Sequence, residues 1–287
     1  MTSRPRRSAL YMPASNAKAI EKARSLPCDV VILDLEDAVA PEAKEAAREQ
    51  AVQAVRDGGF GNRELVIRVN GSDTPWGADD LRAAAAAKPD AILVPKVNSA
   101  VDVADYSAPL HADTALWAMI ETSRSLFALD SIAAARATTQ LTTFVMGTND
   151  LAKEMRFRLT PGREPFFAAL SMAVTAARMH DLTILDGVHN DIEDQNSLEA
   201  VCRQGVDFGF DGKTLIHPKQ IDLCNLVFSP APAEVDWARA VIAAFALPEN
   251  HGMGAIRVEG KMAELLHLAQ AQRLVAVAEA IALAEAT

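Results

Sequence analysis

The fold class this sequence predicts is α/β, a closed (β/α)8 TIM barrel. Three observations carry that prediction. β-rich runs recur about every 20 to 30 residues, alanine-rich stretches with helical spacing lie between them, and the runs are apolar almost throughout, as strands buried on both faces must be. In order they are SALYMP from Ser8, VVILDLE from Val30, ELVIRVN from Glu64, DAILVPK from Asp90, TALWAMIE from Thr114, TTFVMGTND from Thr142, LTILDGV from Leu182 and VDFGFDGK from Val206. Eight such runs fit a closed barrel better than an open doubly wound sheet, which is the alternative arrangement. Among the helical stretches, PEAKEAAREQAVQAVRD places Pro41 where a first helical turn tolerates it.

A helix over 218–226 follows the eighth strand, and then PAPAEVDWARAVIAAF, where prolines give way to a helical pattern. HGMGAIRVEGKM reads as a Gly-rich break, and 262–286 as a final amphipathic helix. The division expected is therefore 1–228 for the barrel and 229–287 for C-terminal helices and an arm. Periodicity reveals an apolar face without naming its partner, so that arm either packs on a neighbouring subunit or covers its own barrel bottom.

The chain has 287 residues, 50% of them apolar, enough for a large core. The opening MTSRPRRSALYMP lacks the sustained apolar run of a secretory signal, and no stretch approaches a membrane span, so a cytoplasmic protein with no membrane association is expected. Cys28, Cys202 and Cys224, odd in number and without CxxC spacing, predict buried thiols rather than disulfides or a zinc site. A net charge of −10 with no basic stripe argues against nucleic acid. No nucleophile elbow, P-loop or GxGxxG is present, which leaves serine-triad and dinucleotide chemistry without support.

In a barrel, reactive groups sit after the strands, at the C-terminal face. That rule collects Pro13 to Asn16, Asp34, Glu36, Asp37, Arg68, Asn70, Lys96, Glu121, Asn149, Asp150, Asp186 and Lys213. Glu121 and Asp150 end consecutive strands, and two carboxylates completed by water and a chelating ligand make a hard-oxygen site suited to Mg²⁺ or Mn²⁺. Either acid also suits a helix cap. Arg68 at a barrel mouth calls for a carboxylate or an anionic ligand, with Glu36 and Asp37 the partners at hand. Three acids within LDLED require a cation nearby or raised pKa values.

Taken together, RSALYMPASNAKAIEKA, VILDLEDAVAPEAKEAAR, VIRVNGSDTPW, ILVPKV, the glutamate of MIET, MGTNDLA, ILDGVHNDIED, GFDGKTLIHPKQI and GAIRVEGKMAE resemble, in order and across nearly the whole chain, the HpcH/HpaI aldolase and citrate lyase β-subunit-like family, which includes malyl-CoA and citramalyl-CoA lyases. The resemblance implies bound Mg²⁺, CoA as part of the substrate, and a homotrimer or hexamer whose C-terminal arm reaches the next subunit's site. It puts the metal on Glu121 and Asp150, substrate oxygen on Arg68, Glu36 and Asp37 behind them, and ligand contacts on Ser15, Lys18 and Asp186. Where relatives often carry a basic residue in the first loop, this chain has Asn16, leaving that role to Lys18 or Lys22. Where many carry an aspartate after GKM, it has Glu264, the expected proton-transfer group.

The activity implied is carbon–carbon cleavage or formation of a short β-hydroxyacyl-CoA, malyl-CoA or citramalyl-CoA, exchanging an acyl-CoA and a 2-oxo acid or aldehyde. Three alternatives stand beside it: a malyl-CoA thioesterase in which Glu264 activates water, a citrate lyase β subunit acting on an acyl-carrier-protein thioester, and a non-catalytic acyl-CoA-binding protein.

Overall fold

A computed structural model describes residues 4–286 and divides them into two compact units, Arg6–Phe228 and a C-terminal unit that begins at Ser229 and includes Arg4 and Pro5. In the first unit eight parallel strands close on themselves: β1 (Ser8–Pro13), β2 (Val30–Asp34), β3 (Glu64–Arg68), β4 (Ala91–Val94), β5 (Ala115–Ile120), β6 (Leu141–Met146), β7 (Thr183–Asp186) and β8 (Gly212–Leu215). Their uniform hydrophobicity has the expected cause. Val30, Ile32, Val66, Leu93, Trp117, Met119, Val145 and Leu185 fill the lumen, while alternate residues such as Val31, Leu33, Ile67, Ile92 and Ile184 join the layer beneath the helices.

The end of the lumen opposite the strand termini is plugged by polar groups. Arg6 donates to Glu64 through Nε (2.6 Å) and Nη2 (2.7 Å) and to the hydroxyls of Thr143 and Thr183 (both 3.1 Å), with its guanidinium over Trp117.

The eighth strand corrects the sequence reading. VDF belongs to the helix Gln195–Phe208, which Gly209 ends in the left-handed conformation (φ 90°), so pairing begins only at Gly212. No helix among the described residues is long and apolar enough to cross a membrane.

In the C-terminal unit the Gly-rich break is a β-hairpin: β9 (Ala255–Val258) pairs antiparallel with β10 (Lys261–Glu264). Glu259 (φ 47°) and Gly260 (φ 83°) form the two-residue turn, whose positive φ values match the twist of the flanking strands. Alternation along these strands turns Ile256, Val258 and Ala263 toward the helices Pro232–Phe245 and Leu265–Glu285, where Ala238, Val241 and Ala271 complete a small core. The last helix thus starts three residues later than periodicity predicts, because Met262 to Glu264 are taken up in the hairpin.

Candidate active site

The strand termini bring charge together by register. Asp34, last in β2, pairs with Arg68, last in β3, so both side chains emerge from the barrel wall side by side. Arg68 grips Asp34 with Nε and Nη2, both at 2.6 Å, while its Nη1 lies 2.9 Å from Glu36 and 3.4 Å from Asp37. Its guanidinium also stacks on the Tyr11 ring. Asp34 in turn accepts from the amides of Glu36 (2.8 Å) and Ala38 (3.1 Å), which folds LDLED back across the mouth.

Beneath this loop, the buried Lys44 donates to the carbonyls of Leu35 (2.9 Å) and Glu36 (2.8 Å) and to Asn70 Oδ1 (2.7 Å). Glu36 and Asp37, the expected partners, both reach Arg68, and Asp34 adds a bidentate pair that was not expected. That pair depends on strand register, which residue spacing does not reveal.

Arg68→Met would leave the Asp34 carboxylate, 1% exposed, without its counter-ion. The expected result is a loss of roughly 3–5 kcal/mol in urea unfolding, the usual consequence of breaking a buried pair by removing one partner. A loss under about 1 kcal/mol would show that Asp34 does not depend on Arg68 for its charge.

Glu121 follows β5 and is almost fully buried (1% exposed). Its Oε1 accepts from the backbone N of Lys96 (2.7 Å), whereas Oε2 is buried without a hydrogen-bond donor. Burial, reinforced by the charges of Glu36 and Asp150, pushes the carboxyl up to about 8. Gly147 makes room for it: a Cβ there would stand 2.4 Å from both Cβ and Oε2 of Glu121. Immediately beyond, Asp150 lies half-buried in the first turn of the helix Thr148–Met155.

Burial likewise raises the Glu36 carboxyl, although Arg68 opposes the shift. A carboxylate oxygen buried without a donor, facing other acids in an all-oxygen setting, suits a hard divalent cation. The described residues hold no cluster of three His, Cys, Asp or Glu placed to ligate a metal. A cation here would therefore rest on Glu121 and Asp150 and complete its shell with water and ligand oxygens.

The other predicted residues are Asp186, Ser15, Lys18 and Glu264. Asp186 is inaccessible: Arg163 Nη1 meets both its oxygens at 2.8 Å and Lys213 meets Oδ2 at 3.0 Å, outweighing burial and holding the carboxyl below its ordinary range. This corrects its assignment as a ligand contact, because Asp186 ties the wall together instead. Ser15 and Lys18 are exposed around the start of the helix Ala17–Ala23, which Asn16 caps by accepting from Ala19 N (3.1 Å). Glu264, also exposed, ends β10 in the C-terminal unit, where its backbone N donates to His267 Nδ1 (2.9 Å). Tyr11 and Lys44, which the strand-end rule did not collect, are found only through tertiary contacts.

A model of the HpcH/HpaI aldolase/citrate lyase family matches residues 7–218. The chain belongs to this family. It is 50% identical over 278 residues, 97% of this chain and 96% of the relative, to a (3S)-malyl-CoA thioesterase of Cereibacter sphaeroides. With an L-malyl-CoA/β-methylmalyl-CoA lyase of the same species it shares 32% over 307 aligned positions, covering 97% and 96%. Among solved structures it is similar to CitE of Mycobacterium tuberculosis in complex with magnesium, acetoacetate and coenzyme A, at 29% identity and a TM-score of 0.78, covering 97% of this chain and all of that one.

These identities overturn the expectation of carbon–carbon cleavage. Thioesterases from several C. sphaeroides strains match at 48–50%, well above the lyase. The metal and Arg68 motifs behind the lyase reading are ones a thioesterase would also need, so they do not separate the two reactions.

Proposed function

We propose that this protein hydrolyses the thioester of a short 3-hydroxyacyl-CoA, (3S)-malyl-CoA first among them, with Mg²⁺ held by Glu121 and Asp150. The observation that carries this reading is the near-50% identity along the whole chain to (3S)-malyl-CoA thioesterases. The pair of acids at the mouth, one with a donorless buried oxygen, supports the metal. Bound there, the ion would supply a Lewis acid and a template for substrate oxygens.

The protein's own groups do the rest. Arg68, fixed by Asp34, stabilises negative charge on substrate oxygen, while Glu36 and Asp37 hold that guanidinium in place. Glu264, brought by the arm of a neighbouring copy in a homotrimer or hexamer, takes a proton from water as the water oxygen adds to the thioester carbonyl carbon. Collapse breaks the C–S bond, and the proton passes to the departing thiolate to give free CoA and the hydroxy acid.

Mass-spectrometric analysis of malyl-CoA incubated with purified protein and Mg²⁺ tests this reaction. The expected products are CoA and malate in equal amounts. Acetyl-CoA and glyoxylate in their place would overturn it.

A further inference from the structure

The cations at the mouth are not equivalent. Arg68 has its side chain 7% exposed and is engaged by Asp34, Glu36 and Asp37. Lys44 is buried and commits its three ammonium hydrogens to Leu35, Glu36 and Asn70. Lys96 differs from both: its side chain is 44% exposed and, among the described residues, its single ion pair is to Glu36 Oε1 at 3.3 Å.

The backbone gives a second, independent reason to single out this lysine. Lys96 adopts φ 52°, the left-handed region, and in that conformation its amide reaches Glu121 Oε1. Glycine would adopt this geometry at little cost, whereas a residue with a Cβ is strained in it. The amide contact alone therefore does not require a lysine.

Charge balance indicates what the side chain meets. Among the described residues Asp34, Glu36, Asp37, Glu121 and Asp150 outnumber the three cations Arg68, Lys44 and Lys96, and the hydrogens of Lys44 are already committed. Mg²⁺ on Glu121 and Asp150 would draw ligand oxygens there, and of these three side chains Lys96 alone has the exposure to turn toward a further carboxylate. A 3-hydroxyacyl thioester of the malyl type carries such a carboxylate at the end remote from CoA, next to the hydroxyl that would lie near the metal.

Resting on the thioester reading above, we propose that Lys96 is the specificity residue for this distal carboxylate, exchanging its contact with Glu36 for an ion pair with the substrate. Hydroxyacyl thioesters ending in a methyl group would lack that partner.

Calorimetric titration with (S)-malate and with 3-hydroxybutyrate, both in Mg²⁺, tests the proposal without turnover. The wild type should prefer malate. Lys96→Gly, which keeps the backbone conformation and the amide to Glu121, should lose about tenfold in malate affinity, as for a charge-assisted hydrogen bond, and leave 3-hydroxybutyrate unchanged. Lys96→Arg should retain the preference, and Lys96→Met provides a second neutral variant if the glycine protein does not fold.

Unchanged malate affinity in the neutral variants, or no preference in the wild type, overturns the assignment. In kinetics with malyl-CoA the neutral variants should raise KM more than they lower kcat. A wild type that prefers malate but does not hydrolyse malyl-CoA would sink the thioesterase reading and leave Lys96 standing. Normal hydrolysis with an unaltered KM in Lys96→Gly would do the reverse.

Discussion

Glu121→Gln is expected to yield a folded protein with Mg²⁺-dependent hydrolysis reduced by at least roughly 10²-fold, because it removes an anionic ligand from a site with few others. Its amide oxygen still accepts from Lys96 N, so the local backbone should hold. Asp150→Asn should behave likewise. The same glutamate predicts two pH effects. Its carboxyl stands at about 8 in the fold against an ordinary 4.5. A raised carboxyl stabilises the fold where it is protonated, so this contribution is complete below the unfolded value and is lost as pH climbs through about 8. Without divalent metal, the melting temperature should therefore fall over this interval in the wild type and fall less in Glu121→Gln. Metal binding displaces that proton, so Mg²⁺ affinity should rise by up to about tenfold per pH unit toward pH 8 and then level off. Titration calorimetry across pH checks the coupling, and an affinity flat between pH 6 and 8 would remove Glu121 from the ligand set.

The other large effect concerns Glu264. Its replacement by Gln preserves size but cannot accept a proton, so hydrolysis should slow by roughly 10²- to 10⁴-fold while the assembly persists. Mixing it with Glu121→Gln then asks where the group acts. If the C-terminal unit of one copy serves the barrel of the next, subunit exchange creates some sites with both wild-type acids, and activity should return. Demonstrated exchange without recovery, with each parent protein inactive, would place Glu264 in its own chain's site or outside the chemistry.

Sequence alone determined the barrel, because burial on both faces writes an unbroken apolar run for each strand and helical spacing marks what lies between. It also marked the mouth: Arg68, Glu121 and Asp150 were found by their positions at strand ends, a local property. What it missed depends on contacts between distant segments or on backbone conformation. β8 starts later because Gly209 first ends a helix, and the tail contains a hairpin because Glu259 and Gly260 turn it. Which acid grips Arg68 was decided by the register of β2 on β3, and whether Asp186 faces a ligand or a wall was decided by Arg163 arriving from another loop. The strand-end rule put Lys96 at the mouth, but its left-handed turn and its contacts to Glu121 and Glu36 exist only once β4, β5 and the loop after β2 have come together.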